Sequence, residues 1–282
     1  MKQVIAKDSP LTAAQVEELA SGRCEPAFTY CNRRNTVVKV EVDGKPYVVK
    51  YFKTPNIINR LVYGTLRRSK ARRAMEWSEE LINNGFCCPK PIAYTEEKRS
   101  LLFGDSCFIS EYYGHPTLKR FLVNEGNRWE GGATSTLSPD TRMRLMHDLA
   151  EFVLSLHTSG FLPGDMNWEN IFVIEDAKGA DRADRSDKSE RSDSGNFTFA
   201  LTDVNRTRLL TSGQMPGLKT SMKAFGQMVP DPELQAEIAP FYARLRGFDP
   251  AEALMASLEA RVKRRKKRAR IRRILHPFSK RK

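Results

Sequence analysis

Between residues 36 and 53 the chain reads TVVKVEVDGKPYVVKYFK, two runs of β-branched and aromatic residues interleaved with polar ones and joined by Asp43-Gly44. Alternation of that kind suits half-buried strands, and Asp-Gly supplies the positive φ angles of a two-residue turn, so the segment predicts a hairpin. LTAAQVEELASG carries Thr12 with Gln15 three residues on, a capping box, and Gly22 as a stop, which predicts a short helix. SKARRAMEWSEELINNG runs from a Ser69 cap to Gly85 and predicts a second helix. In CCPKPIAY, Pro89 and Pro91 turn the chain to extended structure, and SCFISEYY predicts a further strand. LSPDTRMRLMHDLAEFVLSLHTSG places Leu145, Leu149, Phe152, Val153 and Leu156 on one face behind a Ser138 cap and Pro139, ending near Gly160. NIFVI and FTFALTDV are apolar runs that pair as a hairpin once the segment between them is set aside.

Two stretches have little to bury. Residues 175–196, EDAKGADRADRSDKSERSDSGN, and residues 124–136, NEGNRWEGGATST, predict solvated excursions from the fold.

Composition adds that the 282-residue chain, 40% hydrophobic and 9% aromatic, is globular and large enough for two lobes. No apolar run reaches the roughly 18 to 20 residues that span a bilayer, and MKQVIAKDSP lacks the apolar core of a signal peptide, so a cytoplasmic protein is expected. Cys24, Cys31, Cys87, Cys88 and Cys107 are odd in number and lack paired metal-ligand spacing, which reads as reduced thiols. The net charge of +13 is local: residues 261–282 hold 13 of the 47 basic residues and no acidic one, leaving 34 of each sign elsewhere.

The chemistry gathers around FLPGDMNWENIFV, residues 161–173. A carboxylate at Asp165 can take the proton of an attacking hydroxyl, and an amide oxygen at Asn170 can ligate a metal. Asp203, in FALTDVNR after the next hairpin, can hold the same metal. That set suits phosphoryl transfer, where charge neutralisation and positioning matter more than covalent help. Lys50 on the second strand of the early hairpin offers a cation for nucleotide phosphates, with Glu76 in the following helix as its candidate partner. Taken singly, Lys50 reads as a solvated strand residue, Glu76 as a surface helix charge, and His157 as a cation favourable at a helix C-terminus. Arg206 and Arg208 read equally as grips for an acidic substrate or as solvated groups.

The order VVK, helix with glutamate, strand leading to Glu111, long helix, GDMNWEN and LTDVNR resembles the protein-kinase-like fold. More narrowly, YFKTPNIINRLVYGTLRRSKARRAMEW, GFCCPKPIAY and TDVNRTR resemble the Kdo/WaaP lipopolysaccharide kinase family, over about residues 28–230. The resemblance implies an α+β, two-lobed fold: a β-rich lobe over 1–113, a mostly helical lobe over 114–260 and a basic tail over 261–282. It implies Asp165 as catalytic base, Asn170 and Asp203 as Mg²⁺ ligands, Lys50 as the ATP phosphate lysine and Glu76 as its partner, with Glu79 and Glu80 as alternatives. The backbone from Glu111 to Tyr113 becomes the adenine hinge. The implied reaction is phosphorylation of a sugar hydroxyl of the lipopolysaccharide inner core, with the Kdo residue of Kdo-lipid A as acceptor. Alternatives are a small-molecule kinase of the aminoglycoside phosphotransferase type, a catalytically silent kinase-like scaffold, and a protein kinase, the last disfavoured by the lack of A-P-E after Asp203.

Three departures stand out. Pro163 occupies the histidine position of H-R-D, D-F-G appears as Asp203-Val204-Asn205, and TYCNRRNT replaces a glycine-rich loop, leaving Arg33, Arg34 or Asn35 to contact phosphate. The basic tail suits an anionic membrane surface, with Ile271, Ile274, Leu275 and Phe278 recurring at helical spacing. Nucleic acid suits it less, because Phe278 is its one aromatic residue. The expectation is therefore a cytoplasmic enzyme held peripherally at the inner face of the membrane.

Overall fold

The structure, a computed structural model, describes residues 1–32, 35–54, 68–99, 102–122, 137–175, 197–211, 213–229 and 231–275. The excursions expected over 124–136 and, apart from Glu175, over 175–196 lie outside these residues, as do Arg33, Arg34 and Phe278. The chain divides into two units: Met1–Gly114 with Ala200–Thr207, and His115–Phe199 with Arg208–Lys282.

The first unit is built on a six-stranded antiparallel sheet. Its strands are β1 (Lys2–Ile5), β2 (Phe28–Asn32), β3 (Asn35–Val42), β4 (Lys45–Phe52), β5 (Pro91–Arg99) and β6 (Leu102–Glu111), in spatial order β1-β5-β6-β4-β3-β2. The β3–β4 turn is the expected one, with Asp43 and Gly44 at φ 52° and 73°. Because side chains alternate, β4 sends Tyr47 and Val49 to one face, where they pack with Val38, Val40 and Ile109 and with Val16 and Leu19 of helix α1 (Ala13–Ala20). Thr12 and Gln15 close the capping box on that helix. The other face carries Lys50 and Phe52. Phe52 packs there with Tyr94 and with Ala71 and Met75 of helix α2 (Lys70–Asn83), which starts at the Ser69 cap. Lys50 therefore points from the sheet's middle strand toward the α2 side.

The second unit contains α3 (Leu118–Leu122), α4 (Pro139–Thr158), α5 (Leu218–Met228), α6 (Pro232–Arg246) and α7 (Pro250–Leu275). Two small sheets accompany the helices: β7 (Phe161–Leu162) pairs antiparallel with β10 (Arg208–Leu209), and β8 (Ile171–Glu175) neighbours β9 (Phe197–Leu201), the two runs expected to pair, with the last two residues of β9 belonging to the first unit. Helix α4 buries Leu145, Leu149, Val153 and Leu156 of the stripe its periodicity predicts, while Phe152, expected on the same face, is half-buried.

Two readings are corrected here. His157 does not act as a cation at the α4 terminus. It is 1% exposed, its Nδ1 lies 2.6 Å from Tyr242 Oη, and burial, aided by Arg246, pushes its pKa down to about 4, so the ring is neutral. The second is the basic tail. Through Leu275 it continues a 26-residue helix that begins at Pro250 and packs on α5 and α6. The approach to α5 is close because Gly226 has no side chain: a Cβ there would stand 2.7 Å from the Ser257 carbonyl oxygen. Among the described residues no helix is long and apolar enough to cross a membrane.

Candidate active site

In the first unit, Lys50 Nζ lies 2.5 Å from Asp203 Oδ1, with the two side chains 14% and 29% exposed. Asp203 follows β9 in the left-handed region, φ 56° and ψ 41°, which a residue other than glycine occupies at a cost of about 1–2 kcal/mol. It is held there by its neighbours. Val204 is buried, and the buried Asn205 donates through Nδ2 to Asp203 Oδ1 at 2.5 Å. The 3-10 turn Val204–Arg206 also packs against α2. Asn205 thus organises the carboxylate from the place where D-F-G has glycine.

Glu76 behaves differently from its expected role. Its Oε1 accepts from Arg72 Nε at 2.8 Å and its Oε2 from Arg68 Nη1 at 3.0 Å, so Lys50 and Glu76 are not paired. The cause is local: Arg72 sits one helical turn before Glu76, where i,i+4 side chains meet. Glu79 and Glu80, the alternatives, form no ion pair with Lys50 among the described residues. Glu111 ends β6 opposite Tyr47, with its N–H bonded to Lys90 O at 2.9 Å and the Tyr112 N–H to Pro46 O at 3.2 Å. These bonds fix the backbone run from Glu111 through Tyr113 as an ordered exit from the sheet. Burial and the nearby Cys87 and Cys88 raise the Tyr113 pKa, keeping the phenol protonated.

In the second unit, Gly160 at φ 79° lets the chain reverse after α4, and Phe161 anchors β7 in the core. The loop that follows closes on the Asp165 carbonyl. That oxygen accepts from the Asn167 N–H at 2.8 Å and from Asn170 Nδ2 at 3.0 Å, while Met166 is buried beneath. The five-residue spacing thereby has a structural reason: the Asn170 amide, at the head of β8, ties the loop down and leaves the Asp165 carboxylate 30% exposed. Arg264 of α7 joins it, with Nη2 at 3.6 Å from Asp165 Oδ1. Arg206 and Arg208 are exposed. Sequence reasoning missed Asn205 and Arg264. Asn205 was detectable as a polar residue where the motif has glycine, whereas Arg264 lies inside a run of cations that gives no sign of which one turns inward.

Each within its own unit, the two expected donors are of the kind a hard cation takes. Asp203 is a carboxylate, and the Asn170 amide, with its nitrogen engaged by the Asp165 carbonyl, has its oxygen on the opposite side, as ligation requires; Mg²⁺ is bound by few protein oxygens together with substrate phosphates.

No protein-family model matches the chain, and no curated protein matches it. Among solved structures it is similar to WaaP in complex with acyl carrier protein, at 18% identity, with 92% of this chain and 98% of that chain covered and a TM-score of 0.53. The likeness is one of fold. It is the α+β arrangement expected from the resemblance to the Kdo/WaaP family, a β-rich N-terminal region followed by a helical one.

Proposed function

We propose that the protein is an ATP-dependent kinase that phosphorylates a sugar hydroxyl of the lipopolysaccharide inner core, with the Kdo of Kdo-lipid A as acceptor. The observation that carries this reading is the pairing of Lys50 with an Asp203 held in a strained backbone conformation by Asn205. Left-handed non-glycine residues and closely paired charges cluster at functional sites, where the surrounding structure holds them against their cost. The WaaP fold supports the same reading.

In this mechanism the Lys50 ammonium binds the ATP phosphates, and the backbone of Glu111–Tyr113 holds the adenine. Asp203 and the Asn170 amide oxygen hold Mg²⁺, which when bound neutralises charge on the phosphates. Asp165 accepts the proton of the acceptor hydroxyl as that oxygen attacks the γ-phosphorus, the bond from the γ-phosphorus to the β–γ bridging oxygen breaks and ADP leaves with that electron pair, and the Asp165 loop is kept rigid by Asn170. Glu76, engaged by Arg68 and Arg72, braces α2 rather than Lys50. That last feature also favours the second reading, a kinase-like scaffold without activity, so the test must separate the two. The enzyme works at the inner face of the cytoplasmic membrane, where its lipid-linked acceptor is accessible to a protein on the cytoplasmic side and α7 presents cations to anionic lipid.

The experiment is incubation of purified protein with ATP, Mg²⁺ and Kdo-lipid A, read by mass spectrometry. A gain of one phosphate is expected, abolished in Asp165→Asn to the extent of a general base's contribution, about 10²–10⁴-fold, while ATP affinity stays within about twofold. No phosphate gain, with ATP binding intact, would favour the scaffold.

A further inference from the structure

The cations of α7 are not equivalent. Lys263, Arg265, Lys266, Lys267, Arg268 and Arg270 are exposed, but Arg264 is drawn inward, its side chain 21% exposed. Its Nη1 donates to the Gln227 carbonyl at the end of α5, 2.8 Å away, which fixes the plane of the guanidinium. Its Nη2 faces Asp165 Oδ1 at 3.6 Å, beyond hydrogen-bond length. One edge of the fork is thus anchored and the other is aimed at the base without being saturated by it. Arg268 and Glu169 complete the local field, the first repelling Arg264 and the second attracting it.

A fixed cation beside a general base is a disadvantage for an uncharged acceptor, because it draws on the carboxylate that must take the proton. An anionic acceptor reverses this. Its carboxylate or phosphate accepts a charge-assisted hydrogen bond at the Nη2 edge, whose direction the anchored guanidinium plane fixes, and leaves Asp165 to the hydroxyl. We infer that Arg264 is a specificity-determining residue: it binds an anionic group of the acceptor sugar, a carboxylate or a phosphate, and so orients the neighbouring hydroxyl toward Asp165. The inference rests on the reading of Asp165 as the base, and it gives the acceptor class as acidic sugars.

The test is calorimetric titration of the full chain with free Kdo, with its methyl ester and with a hexose phosphate, using the parent, Arg264→Gln and Arg264→Lys. The parent should bind at least one of the two anions tenfold or more tighter than the neutral ester, and which one identifies the carboxylate or phosphate source. Arg264→Gln should abolish that preference to within about twofold, and Arg264→Lys, with charge but no fork, should keep only part of it. A parent without the preference, or an Arg264→Gln protein that retains it, overturns the assignment. Should Arg264→Gln not fold, an undiminished preference in Arg264→Lys overturns it equally. Binding is read apart from turnover: a parent that holds the anion through Arg264 yet transfers no phosphate leaves this inference standing and removes the kinase reading instead.

Discussion

Asp203 is the residue on which the proposed site rests most heavily. Its left-handed backbone is one that aspartate, like asparagine, enters more often than other non-glycine residues, and its carboxylate is shared by Lys50 Nζ and Asn205 Nδ2. A hydrogen bond to a charged group contributes about 1.5–3 kcal/mol. Asn205→Ala should therefore weaken Mg²⁺-dependent ATP binding by about 10- to 100-fold, while binding without Mg²⁺ changes little. Nucleotide titration in the two conditions checks it, and equal losses in both would mean that Asn205 only supports the fold. At this scale the placement of Lys50, Asp165, Asn170 and Asp203 on strand, loop and turn was legible because each sits in a short segment whose local structure is encoded by its neighbours. The choice of partner was not. Glu76 has Arg72 one turn away, and that nearness along the helix, invisible to a fold-level pattern, decides against Lys50. Arg264 reaches Asp165 from a distant helix, and no spacing rule connects them.

The elements divide in the same way. The β3–β4 hairpin and helices α1, α2 and α4 were readable because a turn dipeptide or a cap starts or ends each of them. Strand β1, four residues paired along β5, depends on a neighbour distant in sequence, and α6 carries Pro240 within it, a residue that reads as a helix stop although the buried stripe continues past it. The basic half of α7 hid its helix under composition. Its contact with α5 uses the small Gly226, Ser257 and Ala260, which leave no hydrophobic stripe to detect. Packing between α4 and α6 also yields a pH dependence. His157 is buried neutral against Tyr242, whose hydroxyl accepts from Arg246 at 2.8 Å and shares a hydrogen bond with Nδ1 at 2.6 Å. The folded pKa of about 4 lies below the ordinary 6.5, so between those values the unfolded chain binds a proton that the folded one does not. This contribution is complete above pH 6.5 and is lost as pH falls toward 4, to a total of about 3 kcal/mol. Urea unfolding at pH 7 and pH 4.5 should show that loss in the parent. His157→Asn, less stable at pH 7, should show a smaller difference between the two pH values; an equal difference would assign the acid sensitivity to other groups.

At the scale of the whole molecule, the charge excess is confined to one helix end, and the structure changes what its removal would mean. Because Arg261 and Arg264 lie partly buried where α7 meets α5, truncation after Ala260 would remove an anchor of the second unit together with the exposed cations. The two contributions are separable by neutralising Arg265, Lys266, Lys267 and Arg270, all exposed, while keeping Arg264 and its neighbour Arg268. Each cation close to an anionic leaflet contributes about 1 kcal/mol, so four glutamine substitutions should weaken binding to anionic vesicles by well over tenfold at moderate salt. Activity on Kdo-lipid A embedded in those vesicles should fall in parallel, because the acceptor is met only at the surface. Activity on the soluble, deacylated acceptor should stay within about twofold, since neither the base nor its loop has been touched. Vesicle co-sedimentation with matched assays on the two acceptors measures all three quantities. If the quadruple variant sediments as the parent does, in low and moderate salt alike, the exposed face of α7 is solvated surface and the reading of it as a membrane contact falls.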